Sequence, residues 1–198
     1  MKSLLILFYR NPELGKVKTR LAKDVGDEKA LSIYLDLCAH TRNITHLLAC
    51  DKVVYYSQEV QHNDLWPDAV YSKKIQTGLD LGERMSHAFQ DGFAVGYTSI
   101  CIIGTDCLEL TPAILQQAFT ELEISDAVVG PARDGGYYLL GMKQFHAPFF
   151  IDKEWSTDTV YRDTLIDLES QFLSYSILPM LRDVDEATDL PTHYGTPL

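Results

Sequence analysis

The chain reads as an α/β fold with a mostly parallel central sheet and one antiparallel excursion, and three observations point there. Short apolar runs alternate with segments of helical period, the pattern of βαβ units rather than of a sandwich or a bundle. Two of the runs, Ile102-Ile103-Gly104-Thr105-Asp106 in mid-chain and Leu181-Arg182-Asp183-Val184-Asp185 near the C-terminus, read as strand ends that drive into carboxylate. Between two further runs stands Arg133-Asp134-Gly135-Gly136, and Asp-Gly-Gly favours a tight turn that returns Tyr137–Met142 antiparallel to its predecessor.

In chain order, Leu4-Leu5-Ile6-Leu7-Phe8 is the first buried strand, followed by a basic loop. A helix over 30–48 places Leu31, Tyr34, Leu35, Cys38 and Leu48 on one face, and Val53-Val54-Tyr55-Tyr56 is the second strand. Helical period over 81–93 gathers Met85, Ala88 and Phe89 ahead of a strand over 99–104. Thr111-Pro112 opens the next helix, Thr as N-cap and Pro at the first helical position, with Ile114, Leu115, Ala118, Phe119 and Leu122 in period. Ala127-Val128-Val129-Gly130 returns to the sheet, Ser156 or Thr157 caps a helix through Val160, Leu165 and Leu168, and a segment over 172–177 precedes the terminal acidic run.

With 198 residues, 46% of them hydrophobic, the chain suffices for one domain over 1–198 with a sizeable core, and no linker-like stretch divides it. The tail over 191–198 is expected to fray. A formal charge of −11 argues against nucleic acid or an anionic membrane as partner. Cys38, Cys50, Cys101 and Cys107 form no Cys-x-x-Cys pair and read as reduced thiols of a cytoplasmic protein. The run Leu4–Tyr9 is too short for a signal peptide, and no apolar run reaches membrane-spanning length, so stable membrane insertion is not expected. The six histidines lack zinc-ligand spacing, and no feature selects an oligomeric state.

Against the acidic background, Arg10, Lys16, Lys18, Arg20 and Lys23 follow the first strand with only Glu13 in opposition. The run is either a solvated loop or a grip for phosphate. The Walker and Gly-x-Gly-x-x-Gly spacings are both absent, which sets aside ATPase and dinucleotide readings. Lys16, Lys18, Thr19 and Arg20 in a loop at a sheet edge suit a diphosphate, because guanidinium forks onto it and ammonium acts as a compact charge. Asp106 at a strand end, with Asp185 or alternatively Asp183 as second carboxylate, suits Mg²⁺ or Mn²⁺, which takes one or two protein carboxylates and completes its shell with phosphate and water. Asp106 alternatively caps a turn. In Gln76-Thr77-Gly78-Leu79-Asp80-Leu81-Gly82-Glu83-Arg84-Met85, Gln76 is placed to read a base edge and Gly78 to let backbone approach a nucleoside, while Arg84 binds the nucleotide or pairs with a surface acid. Asp134, Gly135, Gly136, Tyr137 and Trp155 outline an acceptor pocket, with a hairpin turn as the plainer account of the first three. Asp189 reads as a local hydrogen-bonding residue.

These blocks, together with Gly15-Lys16-Val17-Lys18-Thr19-Arg20-Leu21, Gly130-Pro131-Ala132-Arg133-Asp134-Gly135-Gly136-Tyr137-Tyr138-Leu139-Leu140-Gly141, Trp155-Ser156-Thr157 and Asp189-Leu190, resemble bacterial GT-A-fold, glycosyltransferase-like nucleotide-diphospho-sugar transferases of the radical-SAM/selenodomain-associated type. The resemblance covers nearly the whole chain. It implies a GT-A Rossmann-like sandwich, with Asp106 as the single acid standing for the usual Asp-x-Asp, Asp185 on the metal side, Thr105 beside the nucleotide, and Asp106 and Asp134 at the reaction centre. Leu108 and Leu14 depart from the family's usual Pro, and neither departure removes a charged ligand. The Lys18-Thr19-Arg20-Leu21 block is also similar to guanylyltransferases that activate small phosphorylated acids, and the C-terminal block to molybdenum-cofactor guanylyltransferases. Three functions are therefore carried forward. They are metal-dependent glycosyl transfer from a nucleotide-diphospho-sugar to a small acceptor, nucleotidyl transfer from an NTP to a small phosphorylated acceptor with release of pyrophosphate, and non-catalytic nucleotide binding.

Overall fold

A computed structural model describes residues 2–191 and Tyr194. Its seven strands form one sheet in the order β3-β2-β1-β4-β6-β5-β7. β1 (Ser3–Tyr9) lies between β2 (Asp51–Tyr56) and β4 (Ser99–Ile103), parallel to both. Helices cover both faces, which is why Leu5, Ile6 and Leu7 are apolar without alternation and wholly buried.

β6 (Tyr137–Met142) runs antiparallel between β4 and β5 (Ala127–Pro131), as the Asp-Gly-Gly turn predicts. The register of the β5–β6 pair shifts between Gly130 and Pro131, a bulge beside the turn. The helix Pro112–Ile124, α4 in chain order, starts as expected, the Thr111 hydroxyl accepting from the Ile114 amide.

Several elements differ from the sequence reading. β3 (Ser72–Ile75) is an added edge strand, and its Lys73 and Lys74 are the kind of charged residues that keep a sheet edge from pairing further. Residues 19–25 of the basic loop form a short helix α1 (Thr19–Val25) ahead of α2 (Asp27–Thr45). On α2 the buried face runs through Ile33, Tyr34, Leu37 and Cys38, while Leu35 is exposed, because the helix is covered on a stripe offset from the one drawn. α3 (Leu81–Ala94) does bury Met85, Ala88 and Phe89. α5 (Val160–Ser170) is preceded by Thr159 at the N-cap, not by Ser156 or Thr157. β7 is confined to Tyr175–Ile177, with Phe172 exposed in a left-handed turn residue.

The terminal acidic run is not a strand end. Leu181 makes a single parallel bridge to Ala132, and the segment is laced across the strand ends by backbone bonds. Leu181 N donates to Pro131 O at 3.1 Å, Arg133 N to Leu181 O at 3.0 Å and Val184 N to Asp106 O at 2.9 Å. Of the tail expected to fray, Tyr194 packs against a core cluster of Leu21, Ile33, Leu37 and Val184. Residues 192, 193 and 195–198 lie outside the described residues.

Candidate active site

The connections from β1 and β4 leave to opposite sides, and the crevice outside the carboxyl ends of strands at such a reversal is where an open α/β sheet binds ligands. A cleft of about 790 Å³ occupies that position. Its lining includes Arg10 after β1, Lys18, Thr19 and Arg20 at the start of α1, Gln76 after β3, Arg84 on α3, Thr105 and Asp106 after β4, and Asp183 and Asp185 on the C-terminal segment. Asp134, Gly136, Tyr137 and Trp155 line it as well.

At its centre Lys18 joins the two predicted metal carboxylates. Its Nζ donates to Asp106 Oδ2 at 3.0 Å and to Asp185 Oδ1 at 2.9 Å, and only 7% of the lysine side chain is exposed. Burial opposes the ammonium charge, but the two carboxylates outweigh it and hold the Lys18 pKa above the usual lysine value. Lys18 also has a left-handed backbone, φ 46°, at the N-cap of α1. Such strain in a non-glycine residue is uncommon and concentrates at functional sites; Ser156, φ 66°, is a second case on the same cleft.

Asp183 lies alongside. Burial and the neighbouring Asp106 and Asp134 charges raise its pKa to about 8, and its Oδ1 is buried without a partner among the described residues. Among the described residues no group of three or more His, Cys, Asp or Glu gathers in metal-ligand geometry. The donor set nevertheless fits Mg²⁺ or Mn²⁺: two carboxylates converge on one cation, and a third oxygen nearby lacks compensation, while such ions take their remaining ligands from phosphate and water. Asp106 and Asp185 would hold the ion. Asp189 hydrogen-bonds locally, Oδ2 accepting from the Asp185 and Glu186 amides.

Other expected residues divide. Lys16 turns away from the cleft to Glu13 at 2.6 Å, since its exposed stem has a closer acid partner. Arg20 reaches Asp185 Oδ2 at 3.8 Å and is otherwise open to the cleft. Arg84 Nε donates to Gly78 O at 3.1 Å, and the guanidinium has no acid partner among the described residues. Gly78 itself is not in the lining. With φ +138° and a notional Cβ 2.8 Å from Arg84 N, its close approach is to the start of α3 rather than to a nucleoside. Gln76 Nε2 donates to Tyr55 O at 2.8 Å and Tyr9 O at 3.3 Å, which fixes the carboxamide at the cleft wall. The Thr105 hydroxyl is buried in the floor, 3.5 Å from Tyr34 Oη.

Among the residues expected to outline an acceptor pocket, Asp134 Oδ1 accepts from Gly136 N at 2.9 Å, so the turn fixes the carboxylate. Gly135 does not line the cleft. At φ +90°, a Cβ there would stand 2.1 Å from Asp158 O, so the residue is required by the turn and by the loop packed on it. Trp155 lines the cleft, and its indole packs against Gly82.

Arg10 and Tyr34 were missed as site residues. The Tyr34 hydroxyl donates to Arg10 O at 2.7 Å and accepts from Arg10 N at 3.1 Å, which holds the end of β1 open beside the cleft. Arg10 carried a signal, as the first charge after a buried strand; Tyr34 read only as a core helix residue.

Residues 39–157 match a family described as an uncharacterized protein conserved in bacteria, DUF2064. The chain belongs to this DUF2064 family. The crystal structure of a candidate nucleotide-diphospho-sugar transferase from Desulfovibrio desulfuricans G20 is 34% identical, over 98% of this chain and 87% of that one, with a TM-score of 0.89. The inositol-1-phosphate CTP transferase of T. maritima shares 13% identity over 98% of this chain and 94% of its own, TM-score 0.55. A CMP:2-keto-3-deoxy-manno-octonic acid synthetase shares 8% over 98% and 97%, TM-score 0.58. The latter two show the fold alone. No curated protein matches the chain. The GT-A-like architecture and the nucleotide-diphospho-sugar transferase resemblance of the sequence are thereby upheld. Among the described residues no helix is long and apolar enough to cross a membrane.

Proposed function

We propose that this chain is a metal-dependent transferase that binds a nucleotide-diphospho-sugar and passes the sugar to a small acceptor. The observation that carries the reading is the convergence of Asp106 and Asp185 on one cationic point, in a cleft lined by Arg10, Arg20 and Arg84. The 34% identical relative from Desulfovibrio desulfuricans G20 supports the donor class.

In this reading the nucleoside lies over the ends of β1 and β2, against the fixed Gln76 carboxamide and the floor made by Thr105 and Tyr34. Lys18, Arg20 and Arg84 face the diphosphate and stabilise charge that grows on the leaving nucleotide. Asp106 and Asp185 would hold Mg²⁺ or Mn²⁺, which would supply Lewis-acid stabilisation of that same leaving group. Asp134, held by Gly136 N, hydrogen-bonds the acceptor hydroxyl and takes its proton as it attacks, while Trp155 and Tyr137 exclude water from that side. Four free cysteines, three of them buried, support a reducing, cytoplasmic setting.

The test is a thermal-shift and calorimetric screen of UDP, GDP, CDP and ADP sugars and of the NTPs, each with Mn²⁺, Mg²⁺ or chelator. A metal-dependent shift with one diphospho-sugar, abolished in Asp106→Asn, is expected. Metal-independent binding, or unchanged binding in Asp106→Asn, refutes the site. Shifts confined to one NTP, with pyrophosphate released on adding a phosphorylated acceptor, would establish nucleotidyl transfer instead. Tight binding without turnover on any acceptor would establish a binding module.

A further inference from the structure

We propose that Lys18 is a resident counter-ion of the Asp106–Asp185 pair, displaced by the arriving divalent cation and handed over to the donor's phosphates. The inference rests on the metal-dependent reading above, and it adds a coupling between cation and phosphate that the reading alone does not contain.

The geometry makes the two cations competitors. Lys18 Nζ stands 3.0 and 2.9 Å from the two carboxylates on which an ion would bind. Mg²⁺ bonds oxygen at roughly 2.0–2.1 Å, so an ion touching both oxygens lies within about 5 Å of Nζ. Two positive centres that close, in a site where the lysine is 7% exposed, repel strongly. One must leave when the other binds.

Charge count favours the divalent ion. Asp106, Asp134 and Asp185 line the cleft, and the cations paired with this group are Lys18, on Asp106 and Asp185, and Arg20, at 3.8 Å from Asp185. Lys18 brings one positive charge to the Asp106–Asp185 pair while Arg20 stands off at 3.8 Å, so a divalent ion matches the two carboxylates better. The stem of Lys18 then has a short path. Thr19 and Arg20, its chain neighbours, line the same cleft, so rotation of the outer side-chain bonds carries the ammonium from the acids toward a bound diphosphate while the backbone stays in place. Cation binding thus creates a phosphate ligand, and by linkage phosphate tightens the cation to the same degree.

The experiment has two arms. Mn²⁺ alone is titrated calorimetrically into wild type and Lys18→Met, with circular dichroism confirming that both are folded; the variant is expected to bind Mn²⁺ about tenfold tighter or better, since a charged hydrogen-bonded competitor is gone. In the second arm, on wild type only, Lys18 is footprinted with an amine-acylating reagent and read by mass spectrometry. Protection is expected in chelator, acylation with Mg²⁺, and renewed protection with Mg²⁺ plus inorganic pyrophosphate. Equal Mn²⁺ affinity in the two proteins, or a Lys18 equally protected with and without Mg²⁺, overturns the exchange while leaving the metal site standing. Failure of both proteins to bind Mn²⁺ overturns the exchange and the metal site together. If Lys18→Met does not fold, the footprint on wild type decides.

Discussion

Gly82→Ala tests how the Trp155 wall of the cleft is built. Gly82 is the second residue of α3, and a Cβ placed on it would stand 2.2 Å from Trp155 Nε1, 2.5 Å from Cε2 and 2.7 Å from Cζ2. Ordinary contact needs about 3.5 Å, so the indole must retreat by roughly 1.3 Å. Two terms oppose each other in stability. Alanine improves helix propensity by at most about 1 kcal/mol, less near a helix start. Overpacking typically costs about 1–3 kcal/mol. The net is a loss of roughly 1 kcal/mol, a fall in Tm of about 2–4 °C for a chain of this size. The chain has two tryptophans, and Trp66 is fully buried, so acrylamide quenching reports Trp155. Gly82→Ala is expected to raise quenching and weaken acceptor binding while leaving nucleotide affinity unchanged. A higher Tm with unchanged quenching would refute the packing argument, because it would mean the helix gained its propensity without meeting the indole.

Asn11→Ala should destabilise by about 2–3 kcal/mol in urea unfolding, because the buried side chain accepts from Gln58 N at 3.1 Å and donates to Glu59 O at 2.9 Å, both of which would be left unpaired. Tyr34→Phe removes the clamp on Arg10 and is expected to cost about 1–2 kcal/mol and to weaken nucleotide binding; unchanged affinity would remove Arg10 from the site. Gly135→Ala combines a left-handed backbone with a 2.1 Å clash against Asp158 O, and should lose acceptor-dependent turnover before nucleotide binding, as measured by calorimetry alongside kinetics. The Asp126 carboxylate is held below its usual value of 3.8 first by the Ser174 hydroxyl and then by the Ser174 amide. Its folded pKa is depressed, so the stability it contributes is present above the unfolded value and is lost as pH falls through the folded one; Asp126→Asn should flatten that limb of the acid-unfolding curve.

What the sequence settled by itself was whatever rests on local pattern. Continuous apolar runs announced β1, β2, β4 and β5 because a strand covered on both faces has no polar side to show, and Thr111-Pro112 and Asp-Gly-Gly announced a helix start and a turn because those residues act on their own backbone. The pattern also picked out Asp106, Asp185, Lys18 and Arg84 as candidates, and the fold brings all four to one cleft. β3 was silent because Ser72-Lys73-Lys74-Ile75 is an edge strand whose pairing comes from β2, not from its own hydrophobicity. Only the tertiary structure decided which charge meets which. Lys16 and Lys18 are equivalent in the loop, yet one pairs with Glu13 in solvent while the left-handed backbone at the other sends its ammonium between carboxylates 88 and 167 residues away. Gly78 and Gly135 looked like ligand-approach residues and proved to be places where backbone meets backbone. Such long-range pairings depend on the sheet order and on the C-terminal segment lying across the strand ends, and neither leaves a local trace in the chain.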